Sequence, residues 1–180
     1  PDEPKGIVDA INDVTGFTMP TYSVAAADES DTGWGFVRLL DMEHSVDPAI
    51  RTGGAAWMGH DLMFKELRKL KDSNGQYIFE PSVQAGAPSR IWGYPWFFNQ
   101  HMNNDRDTVG TGLDVWKLLF GVFNRGFGIR DVGQIRMRIL TEKFVETDEI
   151  GFVMFWEAWS EPLWEAGWSS FPIVGLKAVA

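Results

Sequence analysis

The acidic and aromatic residues near the C-terminal end offer the most obvious chemistry in this chain. Glu157, Glu161 and Glu165 recur at helix-like spacing among Trp156, Trp159, Trp164 and Trp168. Paired carboxylates in a Trp-lined cleft are the equipment of glycoside hydrolysis, and without catalysis they suit sugar binding. That reading requires Trp156, Trp159 and Glu157 to line one open cleft. The same residues suit a contact between protein subunits, in which Arg130, Arg136 or Arg138 of a neighbour answers the glutamates. Arg136 and Arg138 alternate with apolar residues, so they share one face of a strand. They make a solvated basic stripe, a salt-bridge row between subunits, or a contact with DNA, and we adopt the salt-bridge row. The interface candidates are therefore Arg136, Arg138, Trp156, Glu157, Trp159, Glu161 and Trp164.

Other chemistry is poorly supported. His60-Asp61 has the look of an acid–base pair, but it sits at a helix start, where capping explains it. His44 follows a helix, and as a cation it would complement that C-terminal end. His101 lies in a polar loop. The three histidines show neither His-x-x-x-His nor His-Glu-x-x-His spacing, so no metal site is expected. Gly110-Thr111-Gly112 lacks the third glycine and the strand-to-helix frame of a dinucleotide fingerprint. There is no phosphate-binding Gly-x-x-x-x-Gly-Lys motif and no Gly-x-Ser-x-Gly elbow. No catalytic residue, cofactor or enzymatic activity is implied.

Composition narrows the field further. The chain has 180 residues, enough for one domain or two small interleaved ones. It has no cysteine, which excludes disulfides and thiolate metal sites. No apolar run is long enough to cross a bilayer. A net charge of −9 disfavours broad binding to nucleic acid and to anionic membranes. Nine Trp and thirteen Phe are many aromatics to hide, and aromatics are enriched where proteins meet. The Trp-rich tail is the segment a monomer would find hardest to bury.

These residues must be positioned by both helices and strands. Ile7, Val8 and Ile11 mark one helix face within residues 1–15. Residues 16–27 read as strand or irregular chain. Asp31 or Thr32 is placed to cap a helix over Trp34–His44, which Asp47-Pro48 stops. Residues 53–58 are small and apolar, as in a buried strand. A second helix over 61–71 carries Met63, Phe64, Leu67 and Leu70 as its stripe. Asp72-Ser73-Asn74-Gly75 is a turn, leading to a strand over Gln76–Phe79. Ile91–Phe98 is predicted as one strand, with Pro95 marking an edge or bulge. Trp116–Phe123 is apolar, with Gly121 at a turn or bulge. Gln134–Ile139 alternates as a strand with one wet face. Ile150–Trp159 is apolar on both faces: the glutamate spacing favours a helix, while Pro162 and the aromatics favour a strand. Pro172–Val179 is a final strand.

Several short motifs fall in a telling order: Pro4-Lys5-Gly6-Ile7, Ala55-Ala56-Trp57-Met58, Leu70 through Phe79, Trp92-Gly93-Tyr94-Pro95, Phe120-Gly121, and Pro172-Ile173-Val174-Gly175-Leu176-Lys177. Taken together they resemble the C-terminal part of tailed-phage major capsid proteins, over nearly the whole chain. The resemblance implies an α+β protein of the Hong Kong 97-like fold, with a central sheet flanked by helices and long peripheral strands. It implies an axial domain over residues 35–126 and 169–180. It implies part of a peripheral domain over residues 1–34 and 127–168.

The function implied is structural. Copies would assemble into hexamers and pentamers of an icosahedral capsid that encloses DNA without sequence-specific binding, with no membrane involved. The location implied is the virion, with assembly in the host cytoplasm. The family's N-terminal arm, extended loop and spine helix are not found in this sequence. A chain that starts at Pro1 is expected to be a processed product, a fragment or the ordered part of something longer. Some members lock the shell with a Lys–Asn isopeptide bond. No Asn follows Asn124, so that chemistry is expected to be absent. An encapsulin-like nanocompartment shell is the nearest alternative. A carbohydrate-binding or carbohydrate-active protein is the alternative from another class.

Overall fold

The computed structural model describes residues 6–12, 21–23, 34–72, 74–78, 89–105, 116–143, 145–164 and 171–179. α1, Ile7–Asn12, follows the apolar face read from the sequence, and its Ile11 is buried. β1 is Thr21–Ser23. α2, Phe36–Ser45, buries Leu39 and Met42. Its N-cap is Gly35, which makes no side-chain cap bond. The expected caps Asp31 and Thr32 precede that position and lie outside the described residues.

Asp47 and Pro48 end α2 and also start another helix. In α3, Pro48–Arg51, proline occupies the first turn, and the Asp47 carboxylate accepts from the Ala49 amide at 2.7 Å. β2 is Ala56–Gly59, shorter than the predicted strand because Gly53 and Gly54 belong to the turn before it. α4, Asp61–Arg68, is capped as expected: His60 Nδ1 accepts from the Leu62 amide at 3.0 Å. It stops three residues before the predicted end, with Lys69 as its C-cap. Asp72 Oδ1 accepts from the amides of Asn74 and Gln76, closing the predicted turn. The strand expected over Gln76–Phe79 is reduced to a bridge between Lys71 and Tyr77, and Phe79 lies outside the described residues.

The single strand predicted over Ile91–Phe98 is a hairpin. β3, Arg90–Ile91, and β4, Tyr94–Phe98, flank Trp92 and Gly93, at φ 49° and 85°. Two successive positive φ values make the tight turn that matches strand twist. The Trp92 ring is held edge-on against Phe36 and Trp57, at 5.0 and 6.2 Å between centroids. β5, Trp116–Gly121, leads into α5, Phe123–Gly126. β6, Phe127–Leu140, β7, Gly151–Pro162, and β8, Ile173–Val179, complete the order.

Six strands form one mixed sheet in the order β1-β8-β5-β2-β4-β3. β5 is central and buried throughout, antiparallel to both β2 and β8. Each face of the sheet carries a core. Leu118, Phe120, Val174 and Leu176 pack with Leu39 and Met42 of α2 and Met63 and Leu67 of α4. Trp116, Leu119 and Ile173 pack on the opposite side with Ile11, Phe171 and Trp164. Strict alternation would place Trp116 beside Leu118. The register shift between them, at the wholly buried Lys117, turns Trp116 to the other face. Gly175 makes room for it, since a Cβ there would lie 2.6 Å from the Trp116 ring.

Residues 1–34 were expected to accompany the peripheral strands. Among the described residues of that stretch, β1 pairs with β8, and Ile11 packs with Trp116, Leu119 and Ile173, while α1 also borders β7. Parallel pairing along β8 gives β1 its hydrogen bonds, which the hairpin does not supply.

Gly121 closes the sheet against the start of β8. A Cβ at this position would lie 2.1 Å from the Pro172 carbonyl oxygen and 2.6 Å from Ile173 Cα. Both obstacles are backbone, so no side chain can yield. Gly121→Val should therefore lower stability by at least about 3 kcal/mol, read as a reduced midpoint in guanidinium unfolding.

Candidate assembly surface

Among the described residues, β6 and β7 pair only with each other, as a two-stranded antiparallel sheet. At about 3.3 Å per residue, a ribbon of this length extends roughly 40 Å. The undecided stretch Ile150–Trp159 is thus strand from Gly151 on, and the helix reading of the glutamate spacing is corrected. Pairing with β6 satisfies its backbone, and Glu157 and Glu161 fall on one face by period-two alternation. Glu165 and Trp168 lie outside the described residues.

Cross-strand partners sort the side chains cleanly. Met137 faces Met154 and Ile139 faces Phe152, so these share one side with Ile135 and Trp156. Arg136 faces Phe155, Arg138 faces Val153 and Arg130 faces Trp159, which places Glu157 and Glu161 with the arginines on the other side. The register shift between Val132 and Arg136 inserts residues on β6 without exchanging the two sides.

The apolar side is bare. Ile135, Met137, Ile139, Phe152, Met154 and Trp156 are each between 60% and 67% exposed. The expectation of one wet face is therefore corrected: among the described residues, both faces of β6 are wet. Contiguous apolar patches of this kind mark sites where another surface packs.

The charged side is organised within the chain. Arg136 Nη2 lies 3.1 Å from Glu157 Oε1, in an exposed pair. The Arg138 guanidinium sits 5.9 Å from the centre of the Phe155 ring. The pair that was assigned to two subunits is made by one, because the hairpin register brings Arg136 and Glu157 onto the same face of adjacent strands.

Two further expectations change. Trp164 is only 7% exposed and meets Phe171 edge-on at 6.3 Å, so it is a core residue and leaves the set of surface candidates. It follows the last residues of β7, where the chain returns to the main sheet and the Leu163 amide donates to the Gly126 carbonyl at 3.0 Å. Trp156 and Glu157 occupy opposite sides of β7, so the cleft required for a sugar site, with Trp156, Trp159 and Glu157 together, is not formed. Among the described residues no group of His, Asp and Glu is clustered to hold a metal ion. No helix of the described residues is long and apolar enough to cross a membrane.

Apart from Trp156, the residues missed from sequence are the apolar ones of this ribbon. Ile135, Met137 and Ile139 alternate visibly, and Phe152, Met154 and Trp156 do the same. That alternation was available, but it pointed to a core that this hairpin does not have.

With this geometry in hand, comparison with known proteins is direct. A sequence profile of the Phage capsid family matches residues 2–157. The chain belongs to that family. Its α+β fold is that of Hong Kong 97-like capsid proteins, and it is similar to two solved capsids. The capsid of an empty GTA particle matches with a TM-score of 0.64 at 20% identity, covering 99% of this chain and 57% of that one. The capsid of a native GTA particle matches with a TM-score of 0.63 at 20% identity, covering 99% and 62%. The chain thus spans about three fifths of the length of these structures. Among curated proteins none matches in sequence.

Core and surface tryptophans should separate sharply on truncation. Trp164→Ala is expected to cost about 3–5 kcal/mol of unfolding free energy. Trp156→Ala should change it by no more than about 0.5 kcal/mol. Chemical denaturation of the two variants measures both. Arg136→Ala should also stay within about 1 kcal/mol, because its partner is exposed.

Proposed function

We propose that this protein is a structural subunit of a bacteriophage or prophage shell. Copies pack into hexamers and pentamers, and the closed particle encloses the DNA genome. The observation that carries this reading is the bare apolar side of the β6–β7 ribbon, in a chain of the phage capsid family. A two-stranded ribbon is marginal by itself in water. One that exposes Ile135, Met137, Ile139, Phe152, Met154 and Trp156 gains stability when protein covers it.

In this reading the six-stranded sheet is the axial part and the ribbon is the peripheral part. The mechanism is geometric. The sheet gives a stiff body, the ribbon gives a reach beyond it, and no cofactor or catalytic step is used. Arg136, Arg138, Trp159, Glu157 and Glu161 form the polar side of the contact element, and Trp156 belongs to its apolar side. The net charge of −9 keeps the subunit from binding nucleic acid by its overall field, so the genome is contained by enclosure. The particle belongs to the virion and is assembled in the host cytoplasm.

Electron microscopy of the full-length protein tests the proposal. Closed shells or capsomer rings are the expected result. A monodisperse monomer at every concentration and salt condition would overturn it. Charges on the apolar side supply a sharper check. Met137→Lys combined with Met154→Lys should abolish particles while leaving the circular dichroism of the subunit unchanged.

A further inference from the structure

The ribbon differs from end to end as well as from side to side. Its tip, residues 141–150, carries Glu142, Glu146, Asp148 and Glu149, all exposed, with Lys143 as the only basic residue. None of the four carboxylates makes an ion pair among the described residues. On the shaft, Arg130, Arg136 and Arg138 share a side with Glu157 and Glu161. Glu157 is occupied by Arg136. Arg130 and Arg138 make no ion pair among the described residues; the Arg138 guanidinium lies over the Phe155 ring, and Arg130 is the cross-strand partner of Trp159.

We infer that the acidic tip of one copy docks on the Arg130–Arg138 side of the ribbon of a second copy. This deepens the shell reading and rests on it. Charge selects the face. Carboxylates cannot be desolvated against Ile135, Met137 and Phe152 without a large cost, whereas the opposite side offers guanidinium groups. The Phe155 ring beside the Arg138 guanidinium limits the freedom that group loses when it binds a carboxylate. The tip and the shaft are different surfaces, so the contact is head-to-tail. Such contacts propagate from copy to copy and close into rings where the rotation between copies closes. The apolar side remains free for a separate packing partner, so one ribbon serves two contacts of different chemistry.

The test is charge exchange in the full-length protein, with assembly followed by light scattering and electron microscopy. Reversing the tip (Glu142→Lys, Glu146→Lys, Asp148→Lys) should slow assembly at least about tenfold. Reversing the shaft (Arg130→Glu, Arg138→Glu) should do the same. Combining both sets restores complementarity with the signs exchanged and should recover particles. Each substituted site is exposed, so thermal unfolding should be nearly unchanged, and that measurement is made on every variant. Assembly of the unmodified protein should also slow as salt is raised. A folded tip or shaft variant that assembles normally would overturn the inference, as would a combined variant that fails to recover or assembly that is indifferent to salt. If the unmodified protein forms no particles at all, the shell reading itself falls and this contact falls with it.

Discussion

A ribbon of two strands has no interior. Each side chain on β6 and β7 points to one of two faces, and among the described residues neither strand pairs with a further strand. Backbone hydrogen bonds are satisfied by the pairing, but side-chain burial is not. The apolar side must be covered from outside this pair or remain in water. Most of what is distinctive about the molecule follows from that constraint, because the rest of the fold anchors the ribbon's base. The Leu163 amide bonds to the Gly126 carbonyl, and the next residue, Trp164, is buried against Phe171. The ribbon thus leaves and rejoins the body at one place.

The body can serve as an anchor because its sheet is packed on both sides. β5 is buried at every position, and a single irregularity at Lys117 lets it feed both cores. Without the shift, Trp116 would compete for space with Leu118 and Phe120, and the core around Ile11, Phe171 and Trp164 would lose its largest central ring. Close contacts at Gly121 and Gly175 fix how β5 and β8 meet, so the exit of the chain toward α5 and the ribbon is set by backbone geometry.

In the shell we propose, the ribbon's two sides divide labour by physical chemistry. The apolar side supplies area, which drives association without choosing direction. The charged side supplies selectivity, because like charges repel as strongly as opposite charges attract. The internal Arg136–Glu157 pair lowers the free charge of that side without hiding it. A contact element that must join many identical copies benefits from having both functions on separate surfaces.

Much of this was legible in the chain. The apolar stripe of α4, its His60 cap, the Asp72 turn and the strand at β8 all follow from local spacing and local hydrogen bonding, which depend on nearby residues. The order of the short motifs was enough to suggest the capsid family. Errors arose where a distant partner decides. Trp92-Gly93 became a turn because β3 and β4 pair and the Trp92 ring finds Phe36 and Trp57. The glutamate spacing suggested a helix until β6 claimed those residues as a strand. Trp164 and Trp156 are the same residue type a few positions apart, yet one is core and one is surface. The sequence by itself determined the helix stripes and local turns, the acidic charge and the alternation of the ribbon, because these are short-range properties. Only the tertiary structure decided which apolar faces meet a partner within the chain, because burial depends on what the whole fold brings within reach.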